Sequence, residues 1–206
     1  MEQDYNPSFV NLRGYMTTGT PTTSRQFSAE SSRRIVVVGT TGSGKTTLAR
    51  QLARRLAIPH VELDALHWDP HWTPAPPEVF RERTALALSG ETWVADGNYS
   101  AVRDIVWSWA DTVVWLDYAL PVILRQLFWR TLRRIITREE LWNENRERSL
   151  AQFFSRDSLF LWALRSYPRR RREYPILLQK PAYAHLAVVR LRSPRAAQTW
   201  MASLRR

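Results

Sequence analysis

One eight-residue stretch restricts this chain more than any other: Gly39-Thr40-Thr41-Gly42-Ser43-Gly44-Lys45-Thr46. Three of the seven glycines fall inside it. Glycine at that density permits the left-handed turns that aim successive backbone N–H groups at one point. The flanks have the matching shape. Ile35-Val36-Val37-Val38 is a β-branched run and reads as a strand buried on both faces. After the loop, Leu48, Leu52 and Leu56 recur at four-residue spacing, with Ala49 and Ala53 between them, as an amphipathic helix that ends near Pro59. A strand, a glycine loop and a helix N-terminus in that order form a phosphate cradle, because the loop amides and the positive end of the helix dipole converge on one anion. The cradle expected here comprises Gly39, Thr40, Thr41, Gly42, Ser43, Gly44, Lys45, Thr46 and Thr47. Lys45 is placed to neutralise β- and γ-phosphate charge, and the Thr46 hydroxyl to ligate Mg²⁺.

Several classes of nucleotide-binding protein are then excluded. A guanine-reading Asn-Lys-x-Asp tetrapeptide cannot exist in a chain whose only lysines are Lys45 and Lys180. Leu88-Ser89-Gly90-Glu91 is a partial echo of a transporter-ATPase signature, and 206 residues are too few for a mechanical ATPase. A compact phosphotransferase remains.

Beyond the loop, strands and helices alternate. Further strands are expected at His60–Leu63, Thr92–Ala95, Thr112–Leu116 and Leu186–Leu191. Helices are expected from Pro77 to about Leu88, around Val102–Trp109, from Pro121 through Ile136, across most of 137–180 with breaks at Pro168 and Pro175, and from about Pro194. Alternation of this kind gives a parallel sheet covered on both faces: an α/β fold in three layers, α/β/α. Residues 1–32, rich in Ser, Thr, Asn, Gln and Pro and without periodicity, read as a disordered tail ahead of one domain at 33–206.

Ligands of an open parallel sheet bind beyond the carboxyl ends of its strands. Three expected strands end in aspartate: Asp64, Asp96 and Asp117. Phosphoryl transfer needs one carboxylate to orient or deprotonate the acceptor hydroxyl and another to hold Mg²⁺ through water. Asp64, followed closely by His67, Trp68 and Trp72, suits the acceptor role, and Asp96 suits the metal role. Asp117 leads into Tyr118–Pro121 and reads as an ordinary turn residue.

These segments resemble a family. Gly39–Thr46, Asp64-Ala65-Leu66-His67-Trp68, Trp93-Val94-Ala95-Asp96-Gly97-Asn98-Tyr99 and Val114-Trp115-Leu116-Asp117 are similar to the adenylate-kinase-like P-loop proteins often called DNA-topology-modulation proteins, over roughly residues 34–200. The wider superfamily takes in nucleoside monophosphate, shikimate and gluconate kinases. The resemblance implies a five-stranded parallel sheet, ATP as donor, an acceptor-binding insert (65–90) and a mobile arginine-bearing lid (125–180). Asp96-Gly97 looks like the start of the Asp-Gly-Phe-Pro-Arg motif of adenylate kinases, whose aspartate organises Mg²⁺. The sequence departs from it at Asn98-Tyr99, and the next arginine is Arg103, so AMP contacts do not carry over. Arg103 is kept as a candidate substrate contact.

The charge supports the lid. Of the formal +11, a surplus of 8 comes from residues 125–172, where 13 Arg face five acids. Arg130, Arg134 and Arg138 stack along one helix face, and like charges at that spacing repel unless an anion lies against them. Arg130 and Arg134 are therefore candidates to clamp the transferred phosphoryl group together with Lys45. Arg169–Arg172 cannot all face one site. Most of that run is expected at the surface, where a nucleic-acid or acidic-lipid patch is the alternative use, and a pI near 10.9 keeps a nucleic-acid-associated ATPase as the competing function. Trp107, Trp109, Trp115 and Trp129 are expected in the core; for Trp68 and Trp72 a pocket wall and simple packing are equally open. The absence of cysteine excludes disulfides and thiolate metal sites and is compatible with a reducing cytoplasm. No apolar run approaches the ~18–20 residues of a membrane span, and the first thirty residues lack the apolar stretch of a signal peptide. Acceptor and oligomeric state are not encoded in any of these features.

Overall fold

The computed structural model describes residues 32–137 and 159–204. All of the tail but Ser32, and the middle of the arginine-rich region with Arg138, lie outside them. The chain runs β1 (Arg34–Gly39), α1 (Lys45–Leu56), β2 (His60–Glu62), α2 (Leu63–His67), β3 (Trp68–Asp69), β4 (Thr73–Pro74), α3 (Pro77–Ala87) and β5 (Trp93–Asp96). It continues through α4 (Arg103–Trp109), β6 (Thr112–Leu116), α5 (Leu120–Thr137), α6 (Leu159–Leu178), β7 (Ala187–Leu191) and α7 (Pro194–Ser203). Five strands form one sheet in the order β2-β5-β1-β6-β7, every neighbouring pair parallel, while β3 and β4 make a small antiparallel hairpin.

β1 lies at the centre, and its β-branched residues alternate between the faces as period-two geometry demands. Ile35 and Val37 join α1 residues Leu48 and Leu52 in one apolar cluster. Val36 and Val38 join Phe80 of α3 and Val106 and Trp107 of α4 in the other. The sheet is thus covered by helices on both faces, the α/β arrangement expected, and among the described residues no helix is long and apolar enough to cross a membrane.

Four expectations need correction. β2 stops at Glu62, and Leu63 opens a helix, so Asp64 sits in a first helical turn rather than at a strand end. Leu63 is buried against Gly97, which has φ +149°; a Cβ there would stand 2.8 Å from Leu63 Cβ. Only glycine lets the two segments approach so closely. Pro168 and Pro175 do not interrupt the arginine-rich region, because α6 runs through both. Each proline removes a helix hydrogen bond at a cost of about 3 kcal/mol, but Ala163, Ser166, Arg170 and Tyr174 form a continuous buried face that offsets it. Trp107 and Trp115 are in the core, whereas Trp109 and Trp129 (61% exposed) are not. Asp117 is no simple turn residue either: it is buried and ion-paired to Arg171 and Arg190.

Candidate active site

The glycine loop lies at the carboxyl end of β1. Its turn is closed by Ser43 N–H bonding to Thr40 O at 3.0 Å, and α1 begins with Leu48 N–H to Gly44 O at 3.0 Å. The N–H groups of Lys45, Thr46 and Thr47 precede that first i→i−4 bond and belong to the turn whose amides an anion can claim. α5 lies directly against the loop: Gly42 has φ +87°, and a Cβ there would stand 2.9 Å from Leu127 Cβ. Ser43 Oγ is buried and has no hydrogen-bond partner among the described residues.

Lys45 heads this cradle. Burial, followed by the charges of Arg170 and Arg130, lowers its ammonium from the usual 10.5 to about 8, against the opposing pull of Asp64 and Asp96. Three cations and two carboxylates therefore act on one another at the mouth of the loop. The cations outnumber the carboxylates, and the surplus positive charge favours a further anion at the loop.

Asp96 and the three residues that follow it reach the loop and its neighbours, each in a separate task. Asp96 Oδ2 accepts from Thr46 Oγ1 at 2.6 Å, and His60 Nε2 lies 2.9 Å from Asp96 Oδ1. Gly97 accommodates Leu63. Asn98 Oδ1 accepts from Gly39 N–H at 3.1 Å while its Nδ2 donates to Gly39 O at 2.5 Å, a two-point grip on the first residue of the loop. The Tyr174 hydroxyl of α6 also donates to Asn98 Oδ1, at 3.1 Å. The Tyr99 hydroxyl donates to Asp64 Oδ1 at 2.6 Å. Desolvation raises the Asp64 pKa above its ordinary value, while Tyr99 and Lys45 pull the other way.

Beside Asp64 the structure gathers an aromatic wall. The His67 ring lies 4.5 Å from Tyr99, 4.7 Å from Trp68 and 4.8 Å from Phe80. Trp68 meets Trp72 edge-on at 5.7 Å, held by a hairpin turn in which His71 and Trp72 have φ of 62° and 56°. Arg103 lies over the Trp107 ring at 5.7 Å and lines a recess with Gly97, Asn98, Tyr99 and Tyr174.

The arginines divide. The charge of Arg130 acts on Lys45. Arg134, one turn further along α5, is half-buried. The residue missed is Arg170. It is only 7% exposed, lies beside Lys45 and bonds Ser166 Oγ at 3.0 Å. Arg169, Arg171 and Arg172 are all exposed, Arg169 paired with Glu173 and Arg171 with Asp117. The 163–166–170–174 spacing of one inward face could have singled out Arg170, had the prolines not argued against a continuous helix.

No family model matches the chain, and neither does any curated protein. Among solved structures, a shikimate kinase from Bacteroides thetaiotaomicron is similar at 17% identity, with a TM-score of 0.49 over 84% of this chain and 96% of that one. A shikimate kinase from Acinetobacter baumannii, in complex with shikimate, has 19% identity and a TM-score of 0.49 over 84% and 92%. A gluconokinase from Sinorhizobium meliloti 1021 has 19% identity and a TM-score of 0.46 over 87% and 95%. Likeness at this level assigns neither a family nor a substrate.

Proposed function

We propose that the protein is an ATP-dependent phosphotransferase that moves the γ-phosphoryl group to a hydroxyl of a small molecule or nucleotide. The observation that carries this reading is the meeting of Lys45, Arg130 and Arg170 with Asp64 and Asp96 at one glycine loop. A site that only holds nucleotide has no use for a desolvated carboxylate with a raised pKa beside the phosphates; a site that activates an acceptor does.

The loop amides and Lys45 hold the β- and γ-phosphates. Asp64, fixed by Tyr99, takes the proton of the acceptor hydroxyl as its oxygen bonds to γ-phosphorus. The bond from that phosphorus to the β-bridging oxygen breaks, and ADP leaves. Arg130 and Arg170 lie where charge builds on the transferred group, which is where fixed cations accelerate such a reaction. The aromatic wall of His67, Trp68 and Trp72 with Arg103 is the surface offered to the acceptor.

The donor set around Thr46 fits Mg²⁺. A hydroxyl and a buried carboxylate are hard oxygen ligands, and no group of three His, Cys, Asp or Glu side chains forms a metal cage among the described residues. Mg²⁺ suits such a sparse site because it keeps its waters and relies on phosphate oxygens. Thr46 would hold the ion directly and Asp96 through water, and the bound ion would neutralise β- and γ-phosphate charge.

The test is a phosphotransfer screen with ATP against nucleoside monophosphates, sugars and sugar acids, with Lys45→Ala as the blank. Transfer to at least one class is expected from the wild type and none from the variant, with its fold intact by circular dichroism. Equal turnover in the two proteins refutes the assignment.

A further inference from the structure

The segment of α6 that carries Arg170 is poorly supported by its own helix. Neither Pro168 nor Pro175 donates a backbone hydrogen bond, so the segment between them loses intrahelical support at both ends. Its register on the sheet falls to tertiary contacts. One is Tyr174, which is 1% exposed, lies between Trp107 and Trp115 at 5.7 and 5.5 Å, and bonds to Asn98. Another is Arg171, whose Nε lies 3.0 Å from Asp117 Oδ1 and whose Nη1 donates to Tyr167 Oη at 2.8 Å.

Asp117 is built as an anchor. Its side chain is 1% exposed at the end of β6. Its second oxygen accepts from Arg190 of β7, from Nε at 3.0 Å and Nη2 at 2.5 Å, and that guanidinium lies 4.3 Å over the Trp115 ring. One buried carboxylate thus joins β6, β7 and α6. We propose that the Asp117–Arg171 pair is a latch that holds Arg170 over the phosphate loop, which makes Arg171 a positioning residue for phosphoryl transfer. The catalytic half of this statement rests on the phosphotransferase reading; the latch itself rests on the contacts alone.

Arg190 makes the latch testable. When Arg171 is removed, Asp117 keeps one guanidinium, so no buried charge is orphaned and the sheet should stay folded. The variants are Arg171→Ala and Arg171→Lys, with Arg165→Ala as a control that removes the same charge from the exposed side of α6. Amide hydrogen exchange of the full chain should rise about tenfold or more across 165–174 in Arg171→Ala while β1 and α1 stay as in wild type. The turnover number should fall about tenfold with the Kd for ATP within about threefold, the pattern of a lost transition-state contact. Arg171→Lys should recover most of both losses, and Arg165→Ala should show neither. Wild-type exchange across 165–174 in Arg171→Ala overturns the latch, whatever the turnover. Faster exchange in a protein whose wild type transfers no phosphate upholds the latch and removes the phosphotransferase reading instead.

Discussion

Truncating Asn98 to alanine should cost the protein about 3 kcal/mol of stability. The side chain accepts from Gly39 N–H and from the Tyr174 hydroxyl and donates to Gly39 O. Alanine deprives both donors of their acceptor. Gly39 is buried and so is Tyr174, so neither donor has ready access to bulk water. An orphaned buried polar group costs roughly 1–3 kcal/mol, which puts the pair at about 2–6 kcal/mol. Asn98 itself is half-buried, so water entering the vacated space brings the sum toward the lower half of that range. In a domain of this size each kcal/mol lowers Tm by about 2–4 °C, so Asn98→Ala should melt about 6–12 °C below wild type. Thermal unfolding followed by far-ultraviolet circular dichroism reads this directly. Asn98→Asp is the informative partner. It keeps the acceptor but turns a carboxylate oxygen toward Gly39 O, so it should be destabilised at neutral pH and recover on acidification, when the protonated carboxyl can donate. The ionised form is the disfavoured one, so its folded-state pKa lies above the unfolded value and the loss sets in as pH rises through it. A melting temperature for Asn98→Ala within about 2 °C of wild type would refute the account of the loop's support.

Two further outcomes follow from the charges at the loop. Asp64→Asn should lower the turnover number by about a hundredfold or more, as loss of a general base does, while the Kd for ATP changes little. Because desolvation raises the Asp64 pKa, the acid limb of the wild-type rate profile should lie above the ordinary carboxylate range and vanish in Asp64→Asn; a matched loss of binding and turnover would remove Asp64 from the acceptor site. Lys45 in the nucleotide-free protein holds its proton below about pH 8 and loses it above. The Kd for ATP should therefore stay level up to that point and weaken by up to about tenfold per unit beyond it. Removing the Arg170 charge should move the break to higher pH, and a break unmoved in Arg170→Ala would show that the two cations do not share the site.

What was legible in the sequence was what is contiguous. The phosphate loop occupies eight consecutive residues between a β-branched strand and a helix of period four, so local pattern and local structure coincide. The strand ends at Asp96 and the helix start at Pro77 were legible for the same reason. Arg170 was hidden because a run of four identical residues carries no phase of its own and Pro168 and Pro175 argued against the continuous helix that would lend it one; Tyr174 of that helix packs between two tryptophans that arrive from α4 and β6. Asp117 read as a turn because both its partners come from elements far downstream, which no spacing rule anticipates.

Asp96-Gly97-Asn98-Tyr99 was legible as a pattern but not as a mechanism, and the reason is physical. A turn at the end of a parallel strand reaches whatever its neighbours place at the same sheet edge. β5 lies between β2 and β1, so its turn can touch Asp64, which follows β2, and the loop that follows β1. Asp96 reaches forward to Thr46, Asn98 to Gly39, and Tyr99 across to Asp64. Asn98 also accepts the hydroxyl of Tyr174, one helical turn from Arg170. Replacing it with an apolar residue would leave the fold its strands but remove the hydrogen bond by which Tyr174 ties the arginine helix to the loop. This one position thus links the two halves of the proposed chemistry: the cradle that holds the phosphates and the cation that meets the charge moving off them.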